Sequence, residues 1–246
     1  TYTLVEMCQH IPDGTPAVFL AFNKKIADEL KHRLYQGSAS RAILAGTFHA
    51  LGLRAWNRVS PLAQVEGTKV DIIMEQLDVP KHLRAFVKSL VSLSKQSVIS
   101  PSDYETMDAI IEHHDLEEKL NDESGMNLET MREQATERAQ GVLAMSNGAC
   151  DRMIDFDDMI YAPLFFKVDF PKYEWVLIDE AQDTNNARRL MAEQLLSPGG
   201  RFVAVGDPRQ AIYGFTGADA DALDIIARTF NCVDLPLTVS YRCARA

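Results

Sequence analysis

The hydrophobic positions of this chain run in two rhythms. Short unbroken apolar runs occur at "AVFLAF" (17–22), "RAILAG" (41–46), "EWVLID" (174–179) and "RFVAVGD" (201–207). Runs of that length, bounded by turn residues and polar segments, predict strands, those at 17–22 and 174–179 reading as buried ones. Between them, apolar residues recur every three or four positions. Ile26, Leu30 and Leu34 share a face in 24–35, and Ala187, Leu190, Met191 and Leu195 share one in 184–196. That spacing predicts amphipathic helices. A helix is also predicted over 47–56, with Thr47 as its N-cap, another over 220–230, and a last strand over 232–237. Leu4, Val5, Cys8 and Ile11 place a further helix at the beginning. Strands alternating with helices predict a mostly parallel α/β sheet, in which ligands bind at the carboxyl ends of the strands.

Residues 57–150 break this alternation. "HLRAFVKSLVSLSK" (82–95) and "DYETMDAIIEHHDLEEKL" (103–120) are helix-periodic, and no strand pattern stands out. This predicts a helical insertion. It divides the chain into 1–56 with 151–235 as one α/β domain, 57–150 as the insertion, and 236–246 as the start of something further. The first residues already read as mid-helix and the last stop without a polar tail, so a piece of a longer protein is expected.

Charge sharpens the picture. The formal net charge is −10, and residues 101–133 hold eleven Asp/Glu against two Lys/Arg, a net of −9. The acidity is therefore local, and a neutral or basic groove elsewhere stays open to nucleic acid. The segment itself reads as a solvated or protein-binding face. Hydrophobic residues make up 46% of the chain, enough for a core, and no apolar run is long enough to span a bilayer. The four cysteines, Cys8, Cys150, Cys232 and Cys243, are scattered without metal-ligand spacing, which suits free thiols in a reducing cytoplasm.

The chemistry gathers in "VLIDEAQDTNN" and "VAVGDPRQAIYGFTGAD". Asp179 and Glu180 close an apolar strand. An acidic pair there suits phosphoryl transfer, one acid on Mg²⁺ and the other on the attacking water. Asp183 and Thr184 suit the plainer role of favouring the next helix N-terminus. Gln210 follows a strand end, where it can sense a terminal phosphate, and Tyr213 and Phe215 offer flat faces to bases or plug the core beneath their loop. Arg242 in "LTVSYRC" can stabilise phosphate charge or be an ordinary surface arginine.

Taken in order, these segments resemble the UvrD/Rep-type superfamily 1 DNA helicases. "VLIDEAQD" is similar to their Walker B motif, "VGDPRQAIYGFTGA" to motif III and "LTVSYR" to motif IV. "FLAFNKKIADEL" (19–30) is similar to motif Ia, "AGTFHALG" (45–52) to motif Ib, and "IDFDDMIY" (154–161) to the short motif before Walker B. The resemblance implies a RecA-like sheet of the P-loop NTPase type with a helical inserted subdomain. It implies an ATP-dependent DNA helicase that moves on single-stranded DNA, 3′ to 5′, and acts at junctions with duplex. Asp179 would hold Mg²⁺ together with Thr1 (Thr3 being the second choice). Glu180 would be the general base, Gln210 and Arg242 would contact the γ-phosphate, and Tyr241 would stack on adenine. Phe22, Asn23, Thr47, Phe48, His49, Tyr213 and Phe215 would line the DNA track, with a neutral, helix-capping core role as the alternative for His49. The family's GxxxxGK[ST] loop is not in this sequence, so the chain by itself is expected to bind ATP poorly. Thr216 stands where relatives often carry Arg or Lys, which alters the details of DNA grip. Two other functions compete: a non-catalytic DNA- or protein-binding module, and a metal nuclease built on Asp179, Glu180 and Asp207.

Overall fold

The computed structural model describes residues 2–21, 24–36, 43–120, 127–210 and 221–237. In chain order the α/β part begins with α1 (Tyr2–Cys8), β1 (Ala17–Ala21), α2 (Lys24–Gln36), β2 (Ile43–Thr47) and α3 (Phe48–Val59). Then come β3 (Gln64–Val65), α4 (Lys69–Gln76), α5 (Arg84–Ser97), α6 (Tyr104–His113) and α7 (Leu128–Gly148). The chain returns through β4 (Met153–Ile154), α8 (Asp158–Phe165), β5 (Tyr173–Asp179), α9 (Asn186–Leu195), β6 (Leu196–Val205) and α10 (Ala222–Thr229).

Four strands form one parallel sheet in the order β2-β1-β5-β6. β5 is interior, and its last four residues, Val176 to Asp179, are all buried. Successive side chains alternate between two apolar layers, as strand geometry requires. Phe19 and Leu177 pack with Leu4, Cys8, Ile11 and Leu30 on one face. Val18, Leu20, Val176 and Ile178 pack on the other with Leu51, Met191, Leu195 and Ile226. Cover on both faces explains the apolar runs of β1 and β5, whereas β6 has no buried residue, and the structure is α/β with a parallel sheet flanked by helices.

Helices α4 to α7 build a separate apolar cluster around Phe86, Leu90, Met107, Ala139 and Leu143. It joins the sheet side through Tyr161 of α8, whose hydroxyl donates to the Ile99 carbonyl at 3.2 Å and accepts from Asn147 Nδ2 at 3.0 Å. In the acidic stretch Arg132 gathers Glu117 at 2.9 Å, Asp108 at 3.3 Å and Glu112 at 3.7 Å. Among the described residues no helix is long and apolar enough to cross a membrane, and Cys8, Cys150 and Cys232 carry free thiols.

Four sequence expectations are corrected. The helix expected over 103–120 breaks at Asp115, which adopts φ 48°, and resumes as a 3-10 turn over Leu116–Lys119. The stretch 57–150 does contain a strand: β3 pairs in parallel with β4, Gln64 opposite Met153. Two residues are too few to show an alternating pattern. Residues 232–237 form no strand, and Val233, Leu235 and Leu237 stand exposed; Pro236 also has no amide to donate to a ladder. Finally, α9 is capped by Asn185, whose Oδ1 accepts from the Arg188 amide at 3.1 Å, rather than by Asp183 or Thr184.

Candidate active site

Parallel pairing brings the ends of β5 and β6 side by side, with Asp179 opposite Val205. The two loops carrying the candidate acids therefore leave the sheet together. Asp179 is 3% exposed, at the last residue of β5. The next residue, Glu180, turns into the left-handed region at φ 53°. A non-glycine residue held there is strained, and such strain persists where the surroundings fix it. Here the 3-10 turn Ala181–Asp183 does so: the Asp183 amide returns to the Glu180 carbonyl at 3.1 Å.

Gln182 is the residue that knits the two loops. It is 3% exposed. Its Nε2 donates to Glu180 Oε2 at 2.8 Å, and its Oε1 accepts from the Asp207 amide at 3.1 Å. Asp207 in turn accepts from Gln210 Nε2 at 2.8 Å and from the Arg209 amide at 3.0 Å. The Arg209 amide, then the Gln210 side chain, hold the Asp207 carboxyl below its ordinary value. One chain of hydrogen bonds thus runs Glu180–Gln182–Asp207–Gln210. Gly206 makes room for it, since a Cβ there would lie 2.6 Å from Gln182 Oε1. Sequence reading passed over Gln182 because a glutamine between two acids has no distinctive spacing.

Of the other candidates, Thr47 caps α3, its Oγ1 accepting from the Ala50 amide at 3.2 Å. Phe48 is corrected: at 4% exposure it belongs to the core beneath the sheet, and its ring presents no face to DNA. His49 borders a cavity with Asp157 and Arg188. Burial, then the Arg188 charge, push its pKa from 6.5 to about 4, so it is neutral near pH 7. Asp183 is buried at the end of the 3-10 turn that leads into α9. Burial and then the Glu180 charge raise its pKa, and its Oδ1 finds no hydrogen-bond partner among the described residues. Thr1, Phe22, Asn23, Tyr213, Phe215, Tyr241 and Arg242 lie outside the described residues.

A second polar centre, not read from the sequence, sits where the helical cluster meets the sheet. Asp155 Oδ1 accepts from the Asp158 amide at 2.8 Å, and Asp158 Oδ2 accepts from the Asp155 amide at 3.0 Å. This reciprocal pair is a capping box at the start of α8, and its i, i+3 spacing in "DFDD" was the available signal. Both acids are buried and meet two buried lysines. Lys69 Nζ lies 2.7 Å from Asp158 Oδ2, and Lys95 Nζ lies 2.8 Å from Asp158 Oδ1 and also binds Asp155. Burial alone would raise the Asp158 pKa, but Lys95 and Lys69 outweigh it and hold it low. Burial likewise opposes charge on Lys95, and Asp158 and Asp155 overcome it.

A parallel sheet whose interior strand ends in an acidic pair, bound to the loop of the neighbouring strand, is a RecA-like architecture. The chain belongs to the UvrD/REP helicase N-terminal domain family, whose model matches residues 9–231. It is similar to the ATP-dependent DNA helicase Rep of Buchnera aphidicola subsp. Baizongia pistaciae (strain Bp), at 26% identity over 238 residues, 88% of this chain and 32% of that protein. It is also similar to Rep of Escherichia coli (strain K12), at 26% over 237 residues, covering 91% and 34%. The ATP-dependent DNA helicase PcrA of Staphylococcus aureus (strain Mu50 / ATCC 700699) is 25% identical over 217 residues, covering 81% and 28%. The chain therefore spans about a third of the length of these relatives.

Proposed function

We propose that this chain is the first motor lobe of an ATP-dependent DNA helicase that couples ATP hydrolysis to 3′-to-5′ movement on single-stranded DNA and to duplex unwinding. The observation that carries the reading is the Glu180–Gln182–Asp207–Gln210 chain. It joins a general base to a phosphate-sensing glutamine, so the state of the terminal phosphate and the placement of the base move together. Glu180 orients and deprotonates the attacking water, and Gln210 reads the γ-phosphate. Arg242 and Tyr241 serve phosphate and adenine from the segment leading into a second lobe at 236–246.

The donor set suits Mg²⁺. Among the described residues no group of three or more His, Cys, Asp or Glu side chains forms an all-protein cage. Mg²⁺ takes one or two carboxylates and fills the rest of its shell with phosphate oxygens and water. Asp179, with the Thr1 hydroxyl, would hold it, and the ion would supply charge neutralisation of the phosphates. Residues 1–56 and 151–235 form the motor lobe and 57–150 the inserted subdomain that meets duplex DNA. Thr47 and His49, with Phe22, Asn23, Tyr213 and Phe215, line the single-strand track. The acidic segment 101–133 serves a protein partner, and DNA as substrate puts the work in the cytoplasm.

The deciding experiment is ATP hydrolysis by a protein that carries this chain together with a phosphate loop and a second motor lobe, with and without single-stranded DNA. Strong stimulation by DNA is the expected result. No hydrolysis in either condition, from a folded protein, would move the assignment to a non-catalytic binding module. Mg²⁺-dependent DNA cleavage without ATP would move it to a nuclease.

A further inference from the structure

We infer that Asp157 is a positioning residue through which helix α5 governs the turn that carries Glu180; this rests on the motor reading above. Asp157 occupies the N-cap position of α8 but makes no capping hydrogen bond, and its own dihedrals are helical. The capping is done by Asp155 and Asp158. The Asp157 carboxylate is turned to α5 instead, accepting from Ser92 Oγ at 2.5 Å and from Gln96 Nε2 at 3.3 Å. Ser92, Lys95 and Gln96 stand at i, i+3 and i+4, so one face of α5 is given to this contact. Lys95 is committed to Asp155 and Asp158.

Asp157 also lines a cavity of about 130 Å³ together with Lys95 and Gln96 of α5 and Arg188 of α9. A space of that size, with charged and amide groups on its wall, has room for bridging water. Arg188 Nη1 donates to the Asp183 carbonyl at 2.7 Å, and the Asp183 amide bonds to the Glu180 carbonyl. Burial lowers the Arg188 pKa against the support of Asp157 and then Asp183, and burial likewise raises that of Asp157 despite its hydrogen bond from Ser92. A second strut runs alongside: Asn186 Nδ2 donates to the Ser97 carbonyl at 2.8 Å. The route we infer from α5 to Glu180 passes through Asp157, the cavity it shares with Arg188, and Asp183. A buried charge is costly to leave unpaired, so displacement of α5 by whatever the helical cluster binds pulls on the catalytic turn.

The test uses the complete protein and D157N, which keeps the side chain's size and removes its charge. Backbone hydrogen exchange reports the turn directly: amides 181–185 are expected to exchange faster in D157N, while those of β1 and α2 are unchanged. The ratio of DNA-stimulated to basal ATP hydrolysis is expected to fall roughly 2- to 30-fold, the range for residues on a coupling route. Q96L and S92A are expected to act in the same direction, and S92A, which removes only a hydroxyl, decides the matter if D157N does not fold. Unchanged exchange at 181–185, faster exchange across the whole sheet, or an unchanged stimulation ratio would each overturn the inference. If the wild-type protein shows no DNA-stimulated hydrolysis, the motor reading fails while the exchange comparison still decides whether the link exists.

Discussion

Gln182 and Glu180 are joined side chain to side chain, Nε2 to Oε2 at 2.8 Å, two residues apart where the 3-10 turn follows β5. The contact exists because Glu180 enters the left-handed region and Gln182 is folded back beneath it, into the loop that follows β6. Removing this glutamine frees the carboxylate and leaves the Asp207 amide without its acceptor. In the complete protein Gln182→Ala is expected to lower kcat by roughly ten- to a hundredfold, the scale for a misplaced catalytic group, with ATP affinity little changed. Gln182→Glu is expected to be worse, because it sets a second negative charge against Glu180. Steady-state hydrolysis of the two variants, alongside nucleotide binding, checks both statements.

If Glu180 is the general base proposed above, Glu180→Gln abolishes turnover while nucleotide binding persists, since the amide keeps the shape and cannot take the proton. General-base catalysis contributes roughly 10²- to 10⁴-fold, so single-turnover hydrolysis should fall by at least that order. Retained turnover would sink the assignment of Glu180.

Two glycines mark close approaches. A Cβ at Gly52 would lie 2.0 Å from the Met159 carbonyl oxygen, where α3 crosses α8. The obstacle is backbone, so relief requires the helices to separate. Gly52→Ala is expected to destabilise the protein by about 3 kcal/mol, at the upper end for overpacking. Gly206→Ala presses instead on the Gln182 side chain, and is expected to cost more in hydrolysis than in stability. Urea unfolding paired with hydrolysis assays separates the two.

The buried centre around Asp158 and the exposed pair Lys88–Asp71 differ by burial at similar distance. Asp158 and Lys69 are fully buried at 2.7 Å, whereas Lys88 and Asp71, also at 2.7 Å, are about half exposed. Asp158→Asn leaves the buried Lys69 without a carboxylate, Lys95 keeping Asp155, and is expected to cost about 3–5 kcal/mol. Lys88→Ala is expected to cost less than about 1 kcal/mol. Because the folded state holds the Asp158 pKa low, its contribution is present above the ordinary carboxylate range and is lost as pH falls below it. Lys95, held high, contributes fully below the ordinary lysine range and loses its contribution only as pH rises through its folded value.

His49 gives a separate pH signature. Its pKa is lowered from 6.5 to about 4, so between those values the unfolded chain binds the proton and the folded chain does not. Stability is therefore expected to fall as pH drops from 6.5 toward 4 and to change no further through His49 below that. His49→Gln should remove that part of the acid dependence in a series of unfolding curves.

Much of the architecture was legible because it is local. The runs at 17–22 and 174–179 read as buried strands, and they became β1 and β5 at the middle of the sheet. The spacing of Ile26 and Leu30 gave a helix, and Thr47 caps α3 through its own hydroxyl. The placement of Asp179 and Glu180 at a strand end followed from the order of residues alone. The sequence could not show that Gln182 would bridge to Asp207, which lies 25 positions away, because parallel pairing of β5 with β6 creates that proximity. Nor could it show that Lys69 and Lys95, surface residues by composition, would be fully buried against Asp158, or that Phe48 would turn into the core. Periodicity reports which face of an element is apolar. Which distant element covers that face, and which polar groups it traps in doing so, is decided only when the chain packs.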